Sequence, residues 1–192
     1  MSLQELVRKN RSYRRFYQDY QISRETLEEL VELARFSPTG GNKQPLKFFI
    51  SSDPETNAKI FPHTFWAGYL KEWPGPEEGE RPTGYIIILE DKEIGMMPPR
   101  TDFGIAAQTM LLGAAEKGLG GCMIGMLRKK ELLEVMGLSE EKFDILLVLA
   151  IGKPKEQVVI DEVGTDGDIK YWRDEQQVHH VPKRALKDLI LR

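Results

Sequence analysis

Cysteine is almost missing: Cys122 is the only one in 192 residues. A single thiol can form no intrachain disulfide and no cysteine zinc cluster, and such usage fits a reducing, cytoplasmic setting. Long hydrophobic runs are missing too. The longest, Ile145 to Ile151, falls far short of the roughly 20 apolar residues that span a bilayer. The opening residues Met1-Ser2-Leu3-Gln4-Glu5 carry no apolar stretch of the signal-peptide kind. Nor is there an excess of positive charge, since 27 lysines and arginines meet 30 acids for a net charge of -3. The overall field therefore lends no support to a general nucleic-acid or membrane-surface role. Repeats and low-complexity linkers are absent, and the length suits one hydrophobic core, so a single domain over 1–192 is expected.

What is present reads as alternating helices and strands. Ser2 and Glu5 have capping-box spacing before a short helix to Asn10. Ser23 caps a second helix in which Leu27, Leu30, Val31 and Ala34 share a face, and Pro38, Gly40 and Gly41 end it near Phe36. Strands are predicted at 47–51, at 85–90 and, fully buried, at 145–151, with a short strand or loop over 121–126. Short helices are expected over 54–60 and 129–136, and a largely apolar central helix from Thr101 to about Lys117, stopped by Gly118. Residues 61–82 form a long connection rich in aromatics, acids, Pro and Gly. The last 40 residues show little strand pattern, yet hold Tyr171, Trp172, two histidines and Pro182-Lys183-Arg184. A tail of that composition is expected to wrap over a partner surface.

Two segments carry candidate chemistry. Arg8, Lys9, Arg11, Arg14 and Arg15 crowd together with no acid between Leu6 and Gln18. Guanidinium forks and the Ser12 hydroxyl suit phosphate oxygens; the same cluster also reads as a solvated basic face or as helix C-terminal charges. The second segment is Ser37-Pro38-Thr39-Gly40-Gly41-Asn42-Lys43-Gln44-Pro45. Its glycines allow close backbone approach, and Asn42 and Gln44 offer both donors and acceptors. Such groups match a heterocycle edge of alternating carbonyl and N–H groups, as at the pyrimidine end of a flavin. An ordinary helix-ending turn is the other reading.

Taken together and in order, these pieces resemble the nitroreductase family. The family opens with a short helix and an Arg-Ser-x-Arg pattern ending in an aromatic, here Arg11-Ser12-Tyr13-Arg14-Arg15-Phe16. A Pro-Ser-x-x-Asn-x-Gln-Pro loop follows, here Pro38 to Pro45 with Thr39 keeping the hydroxyl. Then come an acid and small-residue helix (Asp102 to Gln108), a Gly-rich stretch (Gly118 to Gly125), Ile151-Gly152-Lys153-Pro154 and the basic Pro182-Lys183-Arg184. Many members carry two arginines before the serine. Here Asn10 stands first, so that basic contact is missing or falls to Lys9.

The resemblance implies an α+β fold, with a central mixed sheet flanked by helices. The chain's own pattern gives about four strands, consistent with that fold if the partner's tail adds a fifth. It implies FMN held without a covalent bond at the interface of a homodimer. Arg11, Ser12 and Arg14 would contact its phosphate or ring, with Lys183 and Arg184 reaching the phosphate. Pro38, Thr39, Gly40 and Asn42 would come from the other subunit, with Gln44 in the same loop. Ile124 and Gly125 would bring backbone near the reactive N5. No side chain is assigned as a catalytic acid, because the chemistry would be that of the flavin. The implied activity moves two electrons from NAD(P)H to a nitroaromatic, quinone or enone acceptor in ping-pong order. The alternatives are a flavin-binding sensor or carrier of the same fold, and a dedicated dehalogenating or flavin-fragmenting relative.

Other signals weigh less. Gly118 to Gly125 fits neither G-x-G-x-x-G nor a Walker loop, because Met123, Met126 and Leu127 stand where glycine, lysine and a hydroxyl are needed. His179 and His180 are adjacent, so in extended chain they point to opposite sides, and they read as surface or interface residues. His63 is uninformative, and Cys122, among glycine and apolar neighbours, reads as buried and inert. Trp66 and Tyr171 are kept as substrate-pocket candidates, while Trp73 and Trp172 read as packing.

Overall fold

The computed structural model describes residues 1–191. Helix α1 (Leu3–Lys9) begins at a closed capping box, in which the Ser2 hydroxyl accepts from the Glu5 amide and the Glu5 carboxylate accepts from the Ser2 N–H. The short strand β1 (Phe16–Tyr17) follows. Helix α2 (Arg24–Arg35) is capped by the Ser23 hydroxyl and buries Leu27, Leu30 and Ala34, one stripe at helical spacing. Strand β2 (Leu46–Ser51) and helix α3 (Pro54–Ile60), capped by Asp53, lead through the 61–82 connection to β3 (Gly84–Asp91), which is buried at every residue. Helix α4 (Asp102–Glu116), β4 (Gly120–Ile124), α5 (Lys129–Met136) and β5 (Phe143–Pro154) complete this part. Gly118 and Gly137 end α4 and α5 with φ of 73° and 66°, the left-handed region that glycine enters without a Cβ clash.

Strand β5 organises the main sheet. It pairs with β3 along one edge and with β4 and β1 along the other, and β2 closes the far side beyond β3. The α+β class is as expected, and each of these ladders is antiparallel. Parallel pairing enters at the bridge from Ser12 to Gly121 and in a second, smaller sheet. Five strands of the main sheet come from this chain, one more than the sequence pattern gives, and the added one is β1.

The sheet divides the core in two. Tyr85, Ile87 and Leu89 of β3 face one cluster with Phe16, Ile60, Trp66 and Leu132. Ile86 and Ile88 face the other, with Leu27, Leu30 and Met110 of the helices α2 and α4. That alternation is the period of two that a pleated strand imposes. A bulge between Ile88 and Leu89 lets β5 place Ile145, Val148 and Ala150 on one side and Leu149 and Ile151 on the other.

The C-terminal segment corrects the expectation of little strand. Strands β6 (Val158–Glu162), β7 (Trp172–Arg173) and β8 (His179–Lys183) form a three-stranded sheet in which β6 and β8 run parallel. This sheet folds back on its own chain: the side chains of Arg173 and His179 meet Glu156 and Arg14. Its strands are short and rich in polar residues, so they lack the apolar alternation that betrays a half-buried strand. No helix among the described residues is long and apolar enough to cross a membrane.

Candidate functional site

The N-terminal basic segment is pinned to the sheet. The Tyr13 amide donates to the Gly121 carbonyl at 3.0 Å, and β1 pairs with the end of β5. Glycines make this docking possible. A Cβ on Gly120 would stand 2.4 Å from the Tyr13 ring, and one on Gly152 would stand 2.6 Å from the Phe16 ring. A Cβ on Gly121 would meet the Ala150 carbonyl oxygen at 2.7 Å. These glycines of β4 and β5 thus seat aromatic side chains and backbone.

Docked this way, Asn10, Arg11, Ser12 and Arg14 line a cleft of ≈ 390 Å³ with Leu111, Met123, Tyr171, His179 and Lys183. The volume lies within the range of small-molecule and cofactor sites. Arg14 is buried. Its guanidinium lies 4.8 Å over the Tyr171 ring, and its Nη1 stands 3.1 Å from His179 Nε2 and 3.4 Å from the Ser12 carbonyl. Among the described residues no carboxylate forms an ion pair with it. The nearby Glu156 accepts from the Arg14 backbone amide and pairs with Arg173 at 3.0 Å. Arg11 turns back to the Val7 carbonyl at 2.8 Å, leaving its Nε buried without a partner. Arg15 points away from the cleft and clamps Glu80. Lys9 does not line the cleft, and Asn10 does.

The second segment forms a different cleft. Pro38, Thr39, Asn42 and Gln44 line a space of ≈ 800 Å³ with residues of α2 and β2, including Val31, Phe36 and Phe48. The two clefts share no lining residue. The loop between α2 and β2 is tightly wound: Gly41, Asn42 and Gln44 have φ of 57°, 53° and 52°. Two non-glycine residues in the left-handed region mark a loop held by its surroundings. The holders are Thr39, whose hydroxyl accepts from the Gln44 amide, and buried Asp102, whose Oδ1 accepts from the Gly40 amide at 3.2 Å. Asp102 Oδ2 has no partner. The first acid of α4 thus serves the loop and not its own helix cap.

Several expected residues lie elsewhere. Trp66 is a core residue: its indole packs near Phe61 and Gly75 and its Nε1 donates to Thr64 Oγ1, so it lines neither cleft. Ile124 is buried in the core and Gly125 is exposed, and Met123 is the β4 residue at the Arg14 cleft. Arg184 is exposed and lies outside that cleft, while Lys183 and Tyr171 line it. Cys122 is buried, and burial pushes its thiol up, as an inert role requires. His179 corrects the surface reading, for it is fully buried against Arg14 and the Tyr171 ring. Its only trace in the sequence is the His-His adjacency, which does send the two rings apart. His180 faces Asp161 at 2.8 Å and Asp174 at 3.3 Å and stacks on Trp172.

A five-stranded antiparallel sheet between helices, with a cationic cleft at one edge and a wound amide loop beside the other, defines the α+β class of this protein. The sequence model of the Nitroreductase family matches residues 7–81 and 81–153, and the chain belongs to that family. An Archaeoglobus fulgidus protein provisionally named NADH dehydrogenase/NAD(P)H nitroreductase is 27% identical over 150 residues, covering 74% of this chain and 80% of that one. The crystal structure of a Desulfovibrio desulfuricans nitroreductase in complex with FMN shares the fold with a TM-score of 0.72 and 23% identity, covering 100% of this chain and 96% of that one. A second FMN complex, from Exiguobacterium sibiricum, has a TM-score of 0.64 and 20% identity over 81% of this chain and 89% of that one.

Proposed function

We propose that the chain is an FMN-dependent oxidoreductase acting as a homodimer, moving two electrons from NAD(P)H to a small nitroaromatic, quinone or enone acceptor in ping-pong order. The observation that carries this reading is Arg14, a buried cation lining a cleft with no carboxylate among the described residues paired to its guanidinium. A buried charge is costly unless paired, so the site is built for an anion. The family's FMN-bound members support that anion being the cofactor.

The residues present fit FMN. Arg11, Ser12, Arg14 and Lys183 would hold its anionic groups, with Arg184 within the same tail. Leu111 and Met123 would wall the ring from water. Pro38, Thr39, Asn42 and Gln44 line a separate cleft, with Gly40 in the same loop, so they would serve a cofactor held by the other copy. A twofold dimer brings the two halves together twice. Two features favour such a dimer. The β2 strand is an edge strand, and Leu186, Leu189, Ile190 and Leu191 of the tail are largely exposed. When bound, FMN supplies the N5 atom that accepts and returns hydride.

The test is the visible spectrum of the purified protein with FMN, followed by anaerobic NADH and then NADPH. A bound flavin that bleaches is expected. In Arg14→Gln, loss of one charge-assisted contact of about 1.5–3 kcal/mol predicts a fall in FMN affinity of roughly 10- to 100-fold. Wild-type protein that takes up no FMN would overturn the proposal. A flavin that neither nucleotide reduces would turn it to a carrier or sensor.

A further inference from the structure

The family match ends at residue 153, yet four residues beyond it, Tyr171, His179, Val181 and Lys183, line the Arg14 cleft. The small C-terminal sheet is therefore part of the site. Where it meets the N-terminal segment stands one carboxylate, Glu156, whose side chain is fully buried and which accepts the Arg14 backbone amide. Arg173 takes that carboxylate in an ion pair. The group that meets Arg14 is an imidazole.

We infer that His179 is a positioning residue of the proposed FMN site: it fixes the Arg14 guanidinium as a neutral hydrogen-bond acceptor, leaving the charge for the cofactor. The inference rests on the FMN reading above. An arginine can only donate, so the contact at 3.1 Å requires His179 Nε2 to accept and Nδ1 to carry the proton. Burial, then Arg14 and Arg173, push the His179 pKa down to about 4, so the ring stays neutral at physiological pH. His180 adds to that depression, and the Tyr171 ring packs against the imidazole. A carboxylate at the same place would orient Arg14 equally well but would neutralise it. A neutral acceptor aims the guanidinium without competing with an incoming anion. The Tyr171 ring, over which Arg14 lies, restricts it from a second side.

The experiment is FMN titration by flavin fluorescence, comparing wild type with His179→Gln, His179→Asp and His179→Leu. Circular dichroism and thermal melting serve as fold controls. The amide of His179→Gln keeps a neutral acceptor, and its Kd is expected within about threefold of wild type. His179→Asp neutralises Arg14 and His179→Leu frees it, so each is expected to weaken FMN binding at least tenfold. Equal affinity in His179→Asp, or a His179→Gln as weak as His179→Leu, would overturn the inference. Nitrogen NMR of the wild-type imidazole needs no variant: protonated Nδ1 with bare Nε2 is expected, and protonated Nε2 refutes it. Wild type that binds no FMN would instead sink the proposed function, so the two failures are distinct.

Discussion

Replacing Glu80 by glutamine should unfasten the segment that carries Arg14. The Glu80 carboxylate accepts from Arg15 Nε and Nη2 at 2.5 and 2.6 Å, and from Lys155 at 2.9 Å. It ties β1 to the residue just past β5, while the Glu80 carbonyl accepts the Phe16 amide at 2.9 Å. Its side chain is 7% exposed, against 20% for Arg15 and 39% for Lys155. The Arg15 hydrogen bonds, partly opposed by burial and joined by Lys155, hold its pKa down from 4.5 to about 2. At about 1.36 kcal/mol per unit, that depression is worth about 3 kcal/mol of stability. Both cations reach solvent, so about 2 kcal/mol is the expected loss in Glu80→Gln at neutral pH. A depressed carboxylate stabilises above its unfolded pKa, so the wild-type contribution is full above about pH 4.5 and fades as pH falls toward 2. Guanidinium denaturation at a series of pH values gives the test. The gap between wild type and Glu80→Gln should be largest near pH 7 and close between pH 4.5 and 2. Parallel curves across that window would refute the reasoning.

Two further outcomes follow from geometry. Gly121→Ala would set its Cβ 2.7 Å from the Ala150 carbonyl oxygen, backbone that cannot swing away, and should cost about 1–3 kcal/mol in thermal unfolding and loosen FMN binding through the displaced N-terminal segment. The two adjacent histidines should titrate on opposite sides of 6.5 when followed by NMR. His180 is raised by its hydrogen bond to Asp161, with Asp174 adding to it, so its stabilisation is full below pH 6.5 and is lost as pH rises through its folded pKa. His179 is depressed by burial and two arginines, so the fold loses stability as pH drops from 6.5 toward 4. Coincident titrations would show the C-terminal sheet to be packed differently.

Local patterns carried much of the fold. The capping box at Ser2 and Glu5, the Leu27-Leu30-Ala34 stripe and the apolar runs at 85–90 and 145–151 each appear as the elements they foretold, with Val31, Leu146 and Leu147 only half-buried. These depend on neighbours a few residues apart, where periodicity and caps act directly. The motif order likewise placed the chain in its family, and Arg11, Ser12, Arg14 and Lys183 do meet around one cleft. What the sequence alone could not reveal rests on contacts far along the chain. Arg14 meets His179 165 positions away and Glu156 142 positions away, and no spacing rule links such residues. Trp66 and Tyr171 look alike as isolated aromatics, yet the tertiary packing sends one into the core and the other to the cleft. The strands of the C-terminal sheet have no apolar alternation of their own, and they exist because β8 finds partners on both sides. Sequence thus determined the helices, the long strands of the main sheet and the basic cluster. Tertiary structure decided which cation is left unpaired, because burial and partnership belong to the folded chain and not to any residue in it.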